Sequence, residues 1–571
     1  MCSHICFSWR CKSRCDQDRS PLQGPPGWNM PFVKHIGLLL ACHALLFLHQ
    51  QPRTMPINLP NELLCQIFML NASDINQEEY KVTRRLAITQ ISSQVCREWR
   101  QIILSSPIMW GRLVLFDGTQ RKEWIEEVLR RSGNTPLWIY CSLGPERTRN
   151  ALSRTVASSF FFETLANNWE RVEVVSYESN YYSVTDPEET ARDWAFLHRP
   201  APLLRVFSAW VYHIPYQLIC CPNLPRHVPV KKSLFSAASP QLHTFDSNFD
   251  LIDHHRHNFK HLRSLHIYHH SNLGQLLHSL KMMPSLESLD LEVSEDYTVG
   301  NIQDLRSPIA LPILSELIMT VPIPAFLAIL DWIPTAPGCS IYSTIQHFNR
   351  PVISDSILEQ TLTQICKVLA HFTKHAEGNS LFLYVIDDSY VRLSSGNRGP
   401  LCPAFSLSFS WPLSTQQYER ILPRLLNSFH FANNVSDLHL DIIVSKPIPV
   451  QIQLALETWL LSLVSVTRLH YHRVSPLLND MQSNLFPHLH TLYIDFNDLH
   501  STSPLHENPK LHDLLHFLQS RINIGRPITT LWVSSKIMLD YRIFTEGLCY
   551  FFNGLDGLKV VCEEIVTGKK I

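Results

Sequence analysis

The sequence has little glycine, with only 18 residues in 571, while proline is abundant at 37 residues. Phosphate-binding loops need glycine for close backbone approach, and neither G-x-x-x-x-G-K-[ST] nor G-x-G-x-x-G occurs in the chain. The H-E-x-x-H, G-x-S-x-G and C-x-x-C motifs of metal, hydrolase and redox sites are also absent. The sequence therefore contains no recognisable active site, and it predicts a protein that is not an enzyme.

Charge is also sparse, since charged residues make up 17% of the chain and the formal net charge is −1. Without an excess of basic residues the protein has no positive field to hold a phosphate backbone, so we expect no nucleic-acid partner. A hydrophobic content of 45% excludes disorder as the main state. The length exceeds that of one compact core and predicts either several domains or an array of repeated units.

The 15 cysteines are an odd number, and beyond the N-terminal cluster they are scattered singly except for Cys220 and Cys221. This pattern is typical of reduced thiols and predicts a cytoplasmic or nuclear location. The N-terminal cluster follows C-x3-C-x4-C-x3-C and consists of Cys2, Cys6, Cys11 and Cys15. Three such close intervals do not suit a tetrahedral zinc site, so we predict no metal and no other cofactor.

Residues 1–54 are excluded from the predicted fold. Their apolar run, Ile36 to Leu48, has 13 residues, whereas a membrane-spanning helix needs about 20, so we predict no membrane partner. Two interpretations remain open. If translation begins at Met30, the run has the shape of a signal peptide. Alternatively the biological start is Met55, and the preceding residues are an extension of the gene model.

Two segments, Ile57 to Leu70 and Ser92 to Trp110, carry apolar stripes at helical spacing. Pro60 suits the first turn of a helix, and Glu62 lies near the positive end of its dipole. The stripe of the first helix consists of Leu63, Leu64, Ile67 and Phe68, and that of the second consists of Ile88, Ile91, Val95, Trp99 and Ile102. Elements this small cannot bury all of that surface alone, so the surplus predicts a docking face, although a helical hairpin within the next domain would give the same stripes.

The order of landmarks in residues 55–115 resembles the F-box. The family pattern L-P-x-E-[LI]-[LI]-x-x-I-[FL] is matched by Leu59, Pro60, Glu62, Leu63, Leu64, Ile67 and Phe68. The later V-C-[RK]-x-W and S-P-x-[LM]-W are matched by Val95, Cys96, Arg97, Trp99, Ser106, Pro107, Met109 and Trp110. The interval from Asn71 to Arg85 is longer and more polar than is usual in the family.

The resemblance implies a three-helix module that binds a Skp-family adaptor and, through it, a cullin-RING (SCF) ubiquitin ligase. The residues expected to contact the adaptor are Leu59, Pro60, Glu62, Leu63, Leu64, Ile67, Phe68, Val95, Cys96, Trp99, Pro107 and Trp110.

Residues 116–571 repeat a pattern of an apolar residue, two spacers, an apolar residue, one spacer and an apolar residue. Its central positions include Leu265, Leu289, Leu317, Leu438, Leu469, Leu492, Leu531 and Leu558. Several of the spacings fall between 23 and 31 residues, close to the leucine-rich repeat period. The predicted fold is therefore α/β, with the F-box followed by an irregular leucine-rich-repeat-like solenoid whose weakest part is about 340–411. An ordinary α/β domain remains an alternative.

Histidines and aromatic residues are the remaining candidates for a site. The histidines are His254, His255, His257, His266, His269, His270, His470 and His472, and we expect solvent-facing or cavity-lining imidazoles rather than metal ligands. The aromatic residues on or near the repeat strands are Trp138, Trp169, Tyr268, Tyr471, Tyr493 and Trp532. Most should lie in the core, and any on an open face would be candidates for partner contact.

These observations predict a non-catalytic substrate-recognition subunit whose protein target is unknown. We expect the target to bind toward the C-terminal half, where pattern copies follow closely between Val435 and Val533. One alternative is a repeat scaffold that binds adaptor without ubiquitination. Another is a secreted or tethered leucine-rich receptor.

Overall fold

A computed structural model describes the placement of the parts of the chain that form helices, strands and tight turns. These are residues 59–72, 79–117, 121–143, 151–179, 193–211, 234–237, 239–247, 259–298, 307–334, 338–346, 355–375, 380–386, 390–395, 405–410, 422–426, 435–443, 450–471, 485–495, 509–535, 551–552 and 554–564. Backbone contacts divide the chain into Met1–Leu63 and Leu64–Ile571. In the described end of the first unit, the Leu63 amide donates to the Pro60 carbonyl at 3.0 Å and closes the first helical turn.

Four described helices, and not the three that the resemblance implies, occupy the region that resembles the F-box. They are α1 (Asn61–Ala72), α2 (Glu79–Val95), α3 (Arg97–Leu104) and α4 (Pro107–Gly111). The stripe from Ile88 to Ile102 predicts one helix, but the structure divides it at Cys96, whose backbone is extended with φ −152°. The Cys96 Sγ accepts a hydrogen bond from the Trp99 amide at 3.4 Å and so caps α3. Pro107 begins α4, where its missing N–H leaves no helical hydrogen bond unmade.

Strands and helices then alternate along much of the second unit. The strands up to the middle of the chain are β1 (Val114–Phe116), β2 (Leu137–Leu143), β3 (Val172–Ser179), β4 (Val206–Val211), β5 (Thr244–Ser247), β6 (Ser264–Asn272), β7 (Ser288–Thr298), β8 (Glu316–Pro322) and β9 (Ser340–Gln346). The helices between them are α5 (Lys122–Ser132), α6 (Ala151–Asn168), α7 (Leu273–Leu280) and α8 (Ile323–Trp332). Short 3-10 turns occur at Trp169–Arg171, Trp194–His198 and Leu234–Ala237.

The C-terminal half continues the same sheet. Its strands are β10 (Ser380–Ile386), β11 (Tyr390–Ser395), β12 (Phe405–Ser410), β13 (Asp437–Ile443), β14 (Arg468–Tyr471), β15 (Thr491–Asp495), β16 (Thr530–Ser535) and β17 (Lys559–Glu564). Its helices include α9 (Asp355–His375), α10 (Val450–Ser462) and α11 (Pro509–Asn523).

The 17 strands of the described residues belong to one sheet. From β1 to β9, and again from β13 to β17, each strand pairs in parallel with the next strand of the chain. The order reverses in between, because β9 pairs with β12, and β10 pairs with β13, while β10, β11 and β12 are antiparallel neighbours. The stretch with the weakest repeat pattern is therefore the part of the sheet where strand order departs from chain order.

The repeated leucines lie in one aligned row of the sheet. Leu265, Leu289 and Leu317 are register partners, and each is almost completely buried. The row resumes with Leu438, Leu469, Leu492 and Leu531. In the last pattern copy the residue opposite Leu531 is Val560 and not Leu558, because β17 begins only at Lys559.

Side chains that alternate with the buried row lie on the opposite surface of the sheet, which we call the outer face. On β6 to β9 these include His266, Asp290, Ile318 and Tyr342, and all are partly exposed. This alternation is the two-residue period of a strand with one face in the core. Among the described residues, no helix is long and apolar enough to cross a membrane.

Candidate functional site

Helix α1 has apolar side chains on both of its faces. Leu64 and Phe68 are buried, with 5% and 3% of their surfaces exposed. Leu63 and Ile67 are 44% and 40% exposed, and Leu70 is 74% exposed. These three follow one another at i, i+4 and i+7, which places them along one side of a helix. One face of α1 is thus occupied by the core of the chain, and the other presents leucine and isoleucine to solvent.

The buried face of α1 packs against α3. The ring of Phe68 meets that of Trp99 edge-on, with centroids 5.1 Å apart and an interplanar angle of 69°. Edge-to-face pairs of this kind stabilise beyond the area they bury. Phe68 therefore holds α1 in place, and it has no free surface to offer a partner.

Trp110 is a second core residue among the predicted contact residues. It is 4% exposed, and its indole N–H donates to the carbonyl of Ile103 at 3.0 Å. Its ring lies 6.3 Å from that of Trp124, and the guanidinium of Arg131 sits 4.7 Å from its centroid. Trp110 therefore joins α4 to α5, at the boundary with the sheet.

Further apolar side chains are exposed on α2, α3 and α4. Ile91 is 64% exposed, Val95 48%, Leu104 43% and Ile108 47%. Exposed leucine and isoleucine are ordinary when isolated, but several within one short helical region make that region a candidate interaction surface. Charged groups border them, and Arg100 donates from Nε to the Ser93 carbonyl at 3.0 Å across the α2–α3 junction.

The structure divides the residues expected to contact an adaptor into three groups. Leu59, Pro60, Glu62, Leu63, Ile67, Val95, Cys96 and Pro107 are exposed, Trp99 is half-buried, and Leu64, Phe68 and Trp110 are buried. Sequence reasoning missed Leu70, Leu104 and Ile108 as exposed apolar residues. The signal for Leu70 was its position three residues after Ile67, on the side of the helix shared with Leu63.

In the described part of the chain, no group of three His, Cys, Asp or Glu side chains could hold a metal ion. His470 stacks between His439 and Tyr493, with centroids 3.8 Å away on each side. The clusters at Cys2–Cys15 and His254–His257 lie outside the described residues.

Of the six aromatic residues on or near the repeat strands, three are buried and three are partly exposed. Trp138, Trp169 and Tyr471 are each buried to 98% or more. Tyr268, Tyr493 and Trp532 are partly exposed on the outer face of the sheet.

Comparison with known families tests the interpretation of the helical region. The family model described as F-box-like matches residues 57–115. The chain therefore contains an F-box-like domain. The match covers α1 to α4, while residues 116–571 lie outside it. No curated protein matches the chain.

F-box proteins in general act as ubiquitin-ligase adaptors or substrate receptors and bind Skp-like adaptors, typically without catalysis of their own. Within the F-box-like domain, the exposed stripe on α1 is a candidate partner surface. Its apolar side chains are presented by a helix whose opposite face is anchored through Phe68 and Trp99.

Proposed function

We propose that the chain is the substrate-recognition subunit of an SCF-type cullin-RING ubiquitin ligase, acting in the cytoplasm or nucleus. The observation that carries the proposal is the F-box-like match together with the exposed stripe on α1, formed by Leu63, Ile67 and Leu70. Apolar side chains of this kind gain free energy when a partner removes them from water. The F-box-like domain would bind the Skp-family adaptor through this stripe.

We infer that residues 116–571 form a leucine-rich-repeat-like domain that holds the target protein. Its support is the sequential parallel pairing of the strands and the single aligned row made by the repeated leucines. Stacked strand–helix units give a broad, rigid surface, and a rigid surface loses little entropy when a partner binds. The subunit would act by bringing the target close to the ligase core, with no chemistry of its own.

Adaptor binding by a Leu63→Asp/Ile67→Asp variant tests the proposal. Both side chains are exposed, so the variant should fold as the wild type does. In the complex, each carboxylate would be buried without a partner at a cost of roughly 2 kcal/mol or more. We expect affinity for a purified Skp-family adaptor, measured by titration calorimetry, to fall more than about 100-fold.

The matched control is Leu454→Asp/Leu461→Asp on α10, where the leucines are 62% and 47% exposed but lie outside the F-box-like domain. This variant should bind adaptor with unchanged affinity. Retention of adaptor binding by the α1 variant would contradict the proposed docking surface. A complex that binds adaptor but transfers no ubiquitin to any captured protein would favour the scaffold alternative.

A further inference from the structure

Charge is segregated strongly within the sheet. Strands β3 to β8 contain no lysine or arginine. Among the described side chains, they contain the acidic residues Glu173, Glu178, Asp246, Asp290, Glu292 and Glu316, of which Glu173 pairs with Arg205 just before β4. Because the whole chain has a net charge of only −1, this concentration is local. Clustered carboxylates create a negative potential that attracts cations.

Two of these carboxylates lie in one row of the outer face. Ser208, Asp246, His266 and Asp290 are successive register partners across β4, β5, β6 and β7. Asp246 is only 4% exposed, and its Oδ2 accepts a hydrogen bond from the Ser208 hydroxyl at 2.9 Å. Its Oδ1 is buried, and no donor among the described residues reaches it. A buried carboxylate oxygen without a donor is strongly disfavoured unless positive charge lies nearby.

Two aromatic rings adjoin the same row. Trp210 on β4 and Tyr268 on β6 lie two residues beyond Ser208 and His266, and their ring centroids are 4.1 Å apart. The two rings are in contact although β5, which ends at Ser247, lies between their strands. The Tyr268 hydroxyl donates to Asp290 Oδ2 at 2.8 Å, and both rings are partly exposed. Aromatic faces next to carboxylates form the environment that binds ammonium and guanidinium groups.

Burial and the groups around the two acids of this row shift their pKa values. Burial raises the pKa of Asp246 and of Asp290 above the ordinary aspartate value. At Asp246 a hydrogen bond from Trp210, the neighbouring His266 and a hydrogen bond from Ser208 oppose the shift, and at Asp290 a hydrogen bond from Tyr268 and the same His266 oppose it. Burial and the neighbouring Asp290 also raise the pKa of Tyr268. A bound cation would stabilise both carboxylates in their charged form.

We propose that Asp246, Asp290, Glu292, Trp210 and Tyr268 form a recognition site for an arginine side chain in a basic segment of the target protein. We call this the acidic–aromatic site. The guanidinium would lie against the exposed ring surface and pair with Asp290 and Glu292, in the field of the buried Asp246. This inference rests on the proposed function, since it names the chemistry of the target held by residues 116–571.

An arginine suits the site better than a metal ion, because no described group of three His, Cys, Asp or Glu side chains can hold one. The C-terminal half, where the repeat spacing predicts target binding, offers a different surface. There Phe382, His439, His470, Tyr493 and Trp532 stack on one another in register, with centroids 3.8 to 5.6 Å apart. Asp437, whose Oδ1 lies 3.8 Å from His470 of this ladder, already pairs with Arg468 of the chain at 2.5 Å.

Fluorescence anisotropy with the purified full-length chain and no adaptor tests the site. The probes are short fluorescein-labelled peptides that alternate Ser with Arg, with Lys or with Glu. We expect the Arg peptide to bind most tightly, the Lys peptide less tightly and the Glu peptide not measurably, since only a guanidinium combines planar stacking with forked hydrogen bonds. Raising the salt concentration should weaken the binding.

Asp290→Asn/Glu292→Gln should weaken binding of the Arg peptide by about tenfold or more, because two charge pairs are lost while side-chain size is kept. Glu292→Gln alone preserves the hydrogen bond from Tyr268 to Asp290 and should give a smaller loss, so it replaces the double variant if that fails to fold. The control is Glu123→Gln/Glu126→Gln on α5, where both side chains are exposed, and it should bind as wild type does.

Equal binding of the Arg and Glu peptides would overturn the inference. So would undiminished binding of the Arg peptide by the folded variants. Because the adaptor is absent from the assay, either result leaves the proposed ligase function standing. Conversely, loss of adaptor binding in calorimetry would leave the peptide result intact.

Discussion

Leu63 and Phe68 both satisfy the same sequence pattern, yet their side chains have different surroundings. Leu63 is 44% exposed and Phe68 only 3%. Sequence alone could place both on a helix, since their spacing follows the helical period. It could not say which face is buried, because α1 is apolar on both faces and the choice depends on Trp99, which lies on another helix.

Trp110 provides a test of which residues of the F-box pattern lie in the core. Trp110→Ala should lower the free energy of unfolding by about 3 kcal/mol or more, because it leaves a cavity and removes the donor to the Ile103 carbonyl. Urea denaturation measures the change. The comparison variant is Ile108→Ala, whose side chain is 47% exposed and whose effect should stay within about 0.5 kcal/mol. An unchanged denaturation midpoint for Trp110→Ala would show that the indole is not a core residue.

At the scale of elements, the apolar periodicity located the helices of the F-box-like domain but not their ends. The stripe continues through Cys96, where the chain breaks the helix and caps α3 with the cysteine sulfur. A cysteine is a poor signal for a cap, since Ser, Thr, Asp and Asn are the usual residues there. The repeat pattern also misplaced the register of β17. Leu558 and Val560 fit the same alternating pattern, and Val560 is the partner of Leu531.

Helix α5 gives a pH-dependent prediction at the same scale. Hydrogen bonds from Arg130 and Arg131 hold the pKa of Glu127 at about 2, below its ordinary value of 4.5. A carboxylate whose pKa is lower in the folded state stabilises the fold above its unfolded pKa, and that stabilisation is lost as the pH falls toward the folded pKa.

Glu127→Gln should therefore reduce stability near neutral pH, by less than about 1 kcal/mol since the ion pairs are near the surface. The difference from wild type should shrink as the pH is lowered from about 5 to about 2. Urea midpoints at a series of pH values measure this. A difference that stays constant down to pH 2 would show that the ion pairs do not form in solution.

At the scale of the whole molecule, the leucine spacing predicted strand and helix alternation over much of residues 116–571. It could not predict the reversed order of β10, β11 and β12, because the antiparallel pairing joins segments whose local patterns resemble those of any other strand. Nor could it bring Asp246, His266 and Asp290 into one row, since they lie far apart in sequence and meet only through register. The pairing of strands that are far apart in sequence determines this arrangement, and the local residue pattern does not show that pairing.

In the proposed ligase subunit, the F-box-like domain binds the adaptor and leaves the outer face of the sheet available for a target. Hydrogen–deuterium exchange of the full-length chain, with and without a purified Skp-family adaptor, tests this most directly. We predict that adaptor slows exchange in residues 61–72 and leaves strands β3 to β8 unchanged. Protection of those strands with no protection in residues 61–72 would contradict the account.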